Sequence, residues 1–277
     1  MQPARIAALL SPFLGGASLS DSQLAQLASY LDLLLRWNAR INLTAVRDPE
    51  QIVTRHFGES LFAARHLYPS CSLETGDWRL LDIGSGAGFP GLPIRIWAPV
   101  LRTTLLESNQ RKATFLRDVV RALQLTGVEV LAIRAEAYAQ QITNHQSPTT
   151  NENSVGPGAL NRGPRQARVS PAGVVVGATL NRTESNVVRA PKPALSEAEG
   201  PATNLTITFR AVERFHQILP TAVELLQQFP TASRRLALLI GAAQVEPARA
   251  IASTLTWSDP LPIPASTQRV LLVGNSE

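Results

Sequence analysis

LLDIGSGAGFPG, residues 80–91, is the stretch of this 277-residue chain that decides its fold. An apolar run ends at Ile83, glycines follow at positions 84, 86 and 88, and a helix is expected to begin near Pro90. Glycine lets the backbone adopt positive φ and lets a ligand approach where a Cβ would block it. The N-terminus of a helix behind such a turn favours a negatively charged group. The stretch therefore predicts a strand, a ligand-binding turn and a helix.

The residues around this turn alternate between strand and helix patterns. The predicted strands are short apolar runs, at 79–83, 103–106, 128–133, 205–209, 236–240 and 270–273. The predicted helices have apolar residues at helical spacing, at 109–125 and 212–228. Strands separated by helices imply a parallel sheet with right-handed crossovers. The predicted fold class is therefore α/β, with residues 79–140 and 205–277 forming one domain.

Residues 1–78 are predicted to form an N-terminal helical cap. Ser20 and Gln23 have the spacing of a capping box, and leucines then recur at helical spacing. Asp48 and Pro49 indicate a second helix start, because proline is favoured at the first helical position.

Residues 141–204 interrupt the alternation of strands and helices. They hold seven of the twenty prolines, and no Phe, Tyr or Trp lies between Tyr138 and Phe209. Such a segment buries too little apolar surface to offset the entropy of ordering it. We therefore expect 141–204 to be a disordered, low-complexity insertion.

The composition supports a folded protein and excludes several kinds of site. Hydrophobic residues make up 44% and charged residues 17% of the chain. The single cysteine, Cys71, excludes an internal disulfide and a multi-cysteine metal site, so no metal is expected. No run approaches the roughly 18 apolar residues of a membrane span, and the N-terminus lacks the pattern of a signal peptide, so we expect a cytoplasmic protein. The net charge of +5 is compatible with a nucleic-acid partner but is weak evidence alone.

The glycine-rich turn suits two classes of ligand. Residues 86–91 satisfy G-x-G-x-x-G, the dinucleotide fingerprint. The turn opens earlier, however, at Gly84, and Asp82 precedes it by two residues. This D-x-G-x-G-x-G register resembles the S-adenosylmethionine motif, in which Gly84, Gly86 and Gly88 would border the cofactor and Asp82 would reach a cationic or hydroxyl group. S-adenosylmethionine is favoured, while a dinucleotide and a purely structural turn stay open as alternatives.

Acidic residues follow the next two predicted strands. Glu107 lies about 20 residues past the glycines, where a carboxylate can accept both ribose hydroxyls of either cofactor. After the third strand, Glu136 and the backbone of Ala135 could recognise an adenine edge. The alternatives are a solvated acid at the strand end for Glu107 and a helix-capping acid for Glu136.

Five motifs taken together resemble the ribosomal RNA small-subunit methyltransferase G family, also called glucose-inhibited division protein B. The motifs are WNARINLTAVRDPEQIVTRHFGESL (37–61), LLDIGSGAGFPGLPIRI (80–96), LLESNQRKATFL (105–116), RAEAY (134–138) and FRAV (209–212). The combination is specific, although no single motif would be.

The resemblance implies a Rossmann-like methyltransferase with a seven-stranded, mostly parallel sheet, an antiparallel last strand and an N-terminal helical cap. It implies transfer of a methyl group from S-adenosylmethionine to a guanine N7 in 16S ribosomal RNA, with that RNA or the small ribosomal subunit as partner. We expect a monomer that needs neither a metal nor a membrane. By position, Gly84 and Phe89 fall on the family's cofactor turn, Ala135 and Glu136 on its adenine-side contacts, and Arg210 on the arginine after the fourth strand.

Guanine N7 carries an unprotonated lone pair, so this chemistry needs positioning and electrostatics rather than a general base. Arg210 is the predicted active-site residue, clamping the methionine carboxylate or an RNA phosphate with two hydrogen bonds. Arg111, Lys112 and Arg117 are predicted to contact RNA phosphates. The alternatives are a surface salt bridge for Arg210 and a solvated helix face for the other three.

The sequence departs from the family's pattern in three places. The insertion could loop out harmlessly, since the entropy cost of closing a loop grows only slowly with its length. It could instead act as an auxiliary RNA-binding segment or obstruct the cofactor edge. Phe209 stands where the family usually carries serine, and the lysine-rich C-terminal tail of some relatives is missing. A methyltransferase on another substrate, a nucleotide-binding oxidoreductase and a protein inactivated by its insertion therefore stay open.

Overall fold

The computed structural model describes residues 1–69, 77–146, 204–210, 215–229, 231 and 233–276. Cys71 and most of the predicted insertion, residues 147–203, lie outside these ranges. Residues 141–146, predicted as part of the insertion, instead continue a helix. The predicted helix at 212–228 is described from residue 215 onward.

The N-terminal segment is helical, as predicted. Its elements are α1 (Pro3–Leu14), α2 (Asp21–Asn38), α3 (Pro49–Ile52), a π-helical turn (Val53–Gly58) and α4 (Glu59–Leu67). The capping box at the start of α2 is confirmed, because the Gln23 amide N–H donates to Ser20 Oγ and the Ser20 amide N–H donates to Gln23 Oε1. Asp48 caps α3, and its Oδ1 accepts from the Gln51 amide at 2.8 Å.

The sheet contains the predicted parallel strands and an antiparallel last strand. Its strands are β1 (Trp78–Ile83), β2 (Arg102–Leu106), β3 (Val128–Leu131), β4 (Asn204–Arg210), β5 (Ser233–Gly241), β6 (Thr256–Trp257), β7 (Leu261–Pro262) and β8 (Arg269–Ser276). Their order is β3-β2-β1-β4-β5-β8-β6, and β7 also pairs with β8. The described sheet thus has eight strands rather than the expected seven, because two-residue strands β6 and β7 share the outer edge of β8 as two pieces.

Helices cover both faces of this sheet. They are α5 (Gly91–Trp97), α6 (Gln110–Ala122), α7 (Ala135–Gln146), α8 (Phe215–Gln228) and α9 (Val245–Ile251). Successive strand residues point to opposite faces, so Leu80 belongs to the core under α5, α6 and the N-terminal helices, while Leu81 belongs to the core under α7, α8 and α9. The N-terminal helices therefore share a hydrophobic core with the sheet.

Phe209, the residue that departs from the family's pattern, is fully buried in the second of these cores. Its ring centroid lies 6.1 Å from that of Phe215 at the start of α8. The larger side chain is thus accommodated by packing and does not enter the edge of the sheet where β4 ends. None of the helices in the described part of the chain is both long and apolar enough to span a membrane.

Candidate functional site

A cleft of about 520 Å³ opens at the carboxyl ends of the parallel strands. Strand β1 pairs with β2 on one side and with β4 on the other, so the chain changes direction across the sheet here. Ligands of open α/β sheets bind at such a switch point. The cleft is lined by Ile83, Gly84, Gly86, Leu106, Glu107, Ser108, Lys112, Ile133, Arg134, Ala135, Glu136, Arg210 and Ile218.

The glycines of the turn serve two different purposes. Gly84, Gly86 and Gly88 have φ of +66°, +57° and +92°, a region that favours glycine. A Cβ on Gly84 would meet no atom within 4 Å, so its outer side is open and it lines the cleft. A Cβ on Gly88 would lie 2.3 Å from Tyr30 Oη. Gly84 therefore keeps space for a ligand, whereas Gly88 keeps space for the packing of α2.

Asp82 lies beneath the turn and not in the cleft. It is fully buried, its Oδ1 accepts from the Thr208 hydroxyl at 3.1 Å, and its Oδ2 accepts from the Gly91 amide at 3.2 Å. Burial raises the pKa of Asp82 to about 7, although the hydrogen bonds from Ser85, Thr208 and Gly91 lower it. The predicted direct contact of Asp82 with a ligand is therefore replaced by a structural role, joining β1 to β4 and to the first turn of α5.

Glu107 is the acidic residue that faces the cleft. Its Oε2 accepts from the Gly86 amide at 2.8 Å and its Oε1 accepts from the Asn109 amide at 2.7 Å. The side chain is 7% exposed, so it is not the solvated acid of the alternative interpretation. Each carboxylate oxygen has two acceptor sites, which leaves one on each oxygen for a ligand. The backbone thus fixes the carboxylate in one orientation toward the cleft.

Phe89 lies under the turn in a cluster of aromatic rings. Its ring stacks on Tyr30 at a centroid distance of 5.5 Å and lies 4.9 Å from His56 and 5.3 Å from Phe57. The Tyr30 hydroxyl donates to the Ala87 carbonyl within the same turn. Phe89 is absent from the residues that line the cleft, so it supports the turn from below, in contrast to the predicted contact with a cofactor.

The start of α7 forms the side of the cleft beyond β3. Ala135 is buried, Glu136 is exposed, and both line the cleft together with Arg134. Apolar contact on this side comes from Ile133 and from Ile218 of α8. This side therefore combines an apolar surface with a carboxylate, as recognition of a heteroaromatic base requires.

Arg210 closes the opposite side of the cleft, but most of its donors are already engaged. Its Nε and Nη2 donate to Glu59 Oε2 at 3.1 and 2.8 Å, its Nη1 to His56 Nδ1 at 2.8 Å, and its Nη2 also to the Arg55 carbonyl at 2.7 Å. A guanidinium has five N–H donors, and one of them has no partner among the residues that the structure describes. Arg210 is neither the predicted two-bond clamp nor the surface salt bridge of the alternative.

His56 is a buried, neutral acceptor in this network. Burial, followed by the charges of Arg210, Arg55 and Arg269, lowers the pKa of His56 to about 3. Because Arg210 can only donate, His56 Nδ1 must accept, and the ring proton is on Nε2. That nitrogen donates to Thr44 Oγ1 at 2.7 Å.

The three predicted RNA-contacting residues of α6 differ in their placement. Lys112 lines the cleft, whereas Arg111 is exposed outside it. Arg117 is also exposed, and its Nη2 donates to the Val130 carbonyl at 3.1 Å. Of these three residues, Lys112 alone places its charge at the cleft.

The structure brings some predicted site residues together and separates others from them. The cleft includes Gly84, Gly86, Glu107, Lys112, Ala135, Glu136 and Arg210, but not Asp82, Gly88, Phe89, Arg111 or Arg117. Sequence reasoning missed the Glu59–His56 support of Arg210 and six residues of the lining, which are Ile83, Leu106, Ser108, Ile133, Arg134 and Ile218. Ser108 directly follows Glu107 and could have been found by position, whereas Glu59 lies in the motif at 37–61, which gives no indication of its partner Arg210.

Comparison with known proteins gives one family for the N-terminal half. Residues 23–147 match the family model described as rRNA small subunit methyltransferase G. Proteins named ribosomal RNA small subunit methyltransferase G are similar: 44% identity over 131 residues in Chloroflexus aggregans (47% of this chain, 52% of the relative) and 49% over 127 residues in Roseiflexus sp. strain RS-1 (45% and 51%). The chain thus spans about half the length of the curated relatives it matches.

Among solved structures, magnesium protoporphyrin IX methyltransferase from Synechocystis PCC 6803 is similar at 10% identity with a TM-score of 0.49, covering 95% of this chain and 100% of that chain. The match to the family model confirms the predicted resemblance over residues 23–147, while the predicted motif at 209–212 lies beyond the matched range.

Proposed function

We propose that this chain, whose residues 23–147 match the rRNA small subunit methyltransferase G family model, transfers a methyl group from S-adenosylmethionine to N7 of a guanine in 16S ribosomal RNA. The observation that carries the proposal is the carboxylate of Glu107, fixed by the Gly86 and Asn109 amides beside the open side of Gly84. That arrangement supports a nucleoside cofactor, and the family match supports the choice of S-adenosylmethionine over a dinucleotide.

The residues of the cleft fit the parts of this cofactor. The two free acceptor sites of Glu107 suit the two ribose hydroxyls, since a carboxylate can accept one hydrogen bond on each oxygen. Ile133, Ile218 and Leu106 offer apolar contact to an adenine ring, and Glu136 can accept from its amino group. Gly84 leaves room for the sulfur end to pass close to the backbone.

When bound, S-adenosylmethionine would supply a methyl group on a positively charged sulfur, and its transfer to an in-line nucleophile would break the methyl–sulfur bond and release S-adenosylhomocysteine. Guanine N7 attacks with its own lone pair, so no side chain has to remove a proton. The residues of the cleft then act by fixing the two reactants in line and by excluding water. The neutral state of His56 fits this role, because His56 serves as a fixed acceptor for Arg210 and not as a base.

The RNA partner is proposed from the family match and from charge. The sequence carries a net charge of +5, and Lys112 places a cation at the rim of the cleft. Guanine N7 faces the major groove of a duplex, so the target base is expected to be unpaired or turned out of its helix.

Methyl transfer tests this function directly. Full-length protein would be incubated with labelled S-adenosylmethionine and small ribosomal subunits that lack the methylation, and 7-methylguanine would be mapped by borohydride–aniline cleavage and reverse transcription. Cleavage at a single guanine supports the proposal. Label in ribosomal protein alone, or no label although S-adenosylmethionine binds, would contradict the RNA substrate.

The same assay separates the effect of the insertion from the choice of substrate. Helix α7 ends at Gln146 and β4 begins at Asn204, so a variant lacking 147–203 keeps both elements. Deproteinised 16S RNA and intact subunits would be compared with both proteins. Activity of the shortened variant alone would mean that the insertion obstructs the reaction, whereas equal activity would mean that the insertion is tolerated.

A further inference from the structure

We propose that Glu59 is a positioning residue that holds Arg210 against the cleft, so that Arg210 offers one N–H to the amino-acid carboxylate of the cofactor. The inference rests on the proposed function and adds a residue and a ligand group to it. Glu59 is the first residue of α4 and does not line the cleft itself.

Glu59 is a buried carboxylate shared between two arginines. Its side chain is 3% exposed, and its Oε2 accepts from Arg210 while forming an ion pair with Arg269 Nε at 2.8 Å. A buried carboxylate is strongly unfavourable unless it is paired and hydrogen-bonded. The arginines come from two different strands, β4 and β8, and only Arg210 reaches the cleft.

The contacts of Arg210 fix the plane of its guanidinium. Glu59 accepts from two different nitrogens of Arg210, while His56 and the Arg55 carbonyl each accept from one. A free arginine side chain loses considerable rotamer freedom when it binds a ligand, and an arginine already held in place does not. Counting the described part of the chain, the one uncommitted donor is on Nη1, because both Nη2 hydrogens, the Nε hydrogen and one Nη1 hydrogen are engaged.

The charges of this cluster define what kind of group it accepts. Arg210, Arg269 and the nearby Arg55 carry three positive charges and Glu59 carries one negative charge, so the surroundings of Arg210 have a net positive charge. His56 adds none, since its pKa is about 3. This net positive charge attracts an anionic ligand group, such as the carboxylate of an amino acid.

A positioning role and a pure charge effect predict opposite changes in ligand affinity when Glu59 is neutralised. Removing the negative charge of Glu59 raises the positive potential, and by charge alone it would tighten the binding of an anionic group. Loss of positioning would weaken that binding, because Arg210 is then unrestrained and repelled by Arg269. A purely structural role would weaken the binding of any ligand of the cleft, with or without a carboxylate.

Two ligands without net charge, which differ in whether they carry the amino-acid group, distinguish these outcomes. S-adenosylhomocysteine carries the amino-acid group, 5′-methylthioadenosine lacks it, and both share the adenosine and an uncharged sulfur. Calorimetric Kd values would be measured for wild type, Glu59→Gln, Glu59→Asp, Arg210→Lys, the double variant that combines Glu59→Gln with Arg210→Lys, and Arg269→Gln, with Tm as a check on folding. Glu59→Asp keeps the charge and shortens the side chain, so it stays informative if Glu59→Gln does not fold.

We expect Glu59→Gln to weaken S-adenosylhomocysteine about tenfold, as for loss of one hydrogen bond to a charged group, with 5′-methylthioadenosine changed less than about twofold. Glu59→Asp should show a smaller loss of the same kind. Arg210→Lys should resemble Glu59→Gln, and the double variant should be no weaker than either, since both act through one contact. Arg269→Gln, the matched control, should lower Tm and leave the ratio of the two Kd values within about threefold.

Four results would overturn the inference. They are tighter S-adenosylhomocysteine binding in Glu59→Gln, equal losses for both ligands, no change in either Glu59 variant, and additive losses in the double variant. Wild type that binds neither ligand would remove the proposed function itself, whereas wild type that binds both ligands equally would remove only the role of the carboxylate contact.

Discussion

The two sides of the cleft hold their polar groups by different means. On the turn side, Glu107 is held by backbone amides of Gly86 and Asn109, which follow the ends of the adjacent strands β1 and β2. On the β4 side, Arg210 is held by Glu59 and His56, which precede it by 151 and 154 residues in the chain. The turn side is therefore built by local backbone geometry, whereas the β4 side depends on the N-terminal helices docking correctly.

The largest effect is expected on the turn side, from Gly84→Asp. Aspartate tolerates positive φ better than most residues, and a Cβ at this position meets no atom within 4 Å, so the fold should persist. The new carboxylate would occupy the cleft beside Glu107 and repel it. We expect S-adenosylmethionine affinity, measured by calorimetry, to fall more than about 100-fold, or about 3 kcal/mol.

Gly127→Asp is the matched control, because Gly127 has φ of +67° and a Cβ there would approach only the Leu101 carbonyl at 3.9 Å. Gly127 does not line the cleft, so its variant should bind normally. If both variants lost affinity equally, the backbone strain and not the ligand space at Gly84 would be responsible.

A smaller loss on the same side is expected from Glu107→Gln. The amide keeps one acceptor but must turn its NH2 group toward either the Gly86 or the Asn109 amide, so one hydrogen bond to the carboxylate is lost. A hydrogen bond to a charged group contributes about 1.5–3 kcal/mol, and we expect affinity for S-adenosylmethionine to fall by about 2 kcal/mol. Glu246→Gln, an exposed residue paired with Arg249, is the control and should change nothing. Unaltered affinity in Glu107→Gln would remove Glu107 from the cofactor site.

On the β4 side, the pH dependence of protein stability tests whether His56 is buried and neutral in the folded protein. The folded pKa of His56, about 3, is below its unfolded value of 6.5, so the unfolded chain binds the extra proton between these pH values. Stability is therefore unaffected by His56 above pH 6.5 and falls as pH decreases below it. The expected loss is about 2 kcal/mol at pH 5 relative to pH 7.5.

His56→Gln should remove this loss, because the glutamine oxygen can still accept from Arg210 without titrating. The measurement is urea unfolding of both proteins from pH 5 to 7.5, taking the difference between them. Asp82 contributes the opposite trend, since its raised pKa of about 7 makes stability fall as pH rises from about 4 to 7. Asp82 is present in both proteins, so its contribution cancels in the difference, and parallel curves would mean that His56 is charged or exposed.

The same contrast explains which parts could be predicted from the sequence. The strand, turn and helix at 78–97 follow from an apolar run, glycines and a helix start, which are local signals. The positions of Gly84 and Glu107 in the cleft follow from the rule that strand ends share one edge of a parallel sheet. The sequence also predicts the chain order of the strands, but not the division of the outer edge into β6 and β7.

The burial of Asp82 and the engagement of Arg210 could not be predicted in this way. Both depend on long-range partners, Thr208 for Asp82 and Glu59 for Arg210, which are 126 and 151 residues away. A motif shows that an acid stands before the glycines, but not whether its side chain points to the cleft or to the core. The roles of such residues depend on tertiary packing and not on spacing along the chain.

The smallest effect is expected at the rim of the cleft, at a residue that is held neither by backbone amides, as Glu107 is, nor by the N-terminal helices, as Arg210 is. Lys112 lines the cleft and has no ion pair among the contacts of the described residues, so its proposed partner is an RNA phosphate. Lys112→Gln should lower RNA affinity by less than about 1 kcal/mol and reduce the slope of log K against log salt by about 0.7–0.9, the value for one phosphate. Filter binding to deproteinised 16S RNA between about 50 and 200 mM salt measures both quantities.

Arg121→Gln is the control on the same helix, because Arg121 pairs with Asp118 and lies outside the cleft. An identical slope in Lys112→Gln and wild type would mean that Lys112 contacts no phosphate of the RNA. The charge of Lys112 would then act only on the cofactor in the cleft.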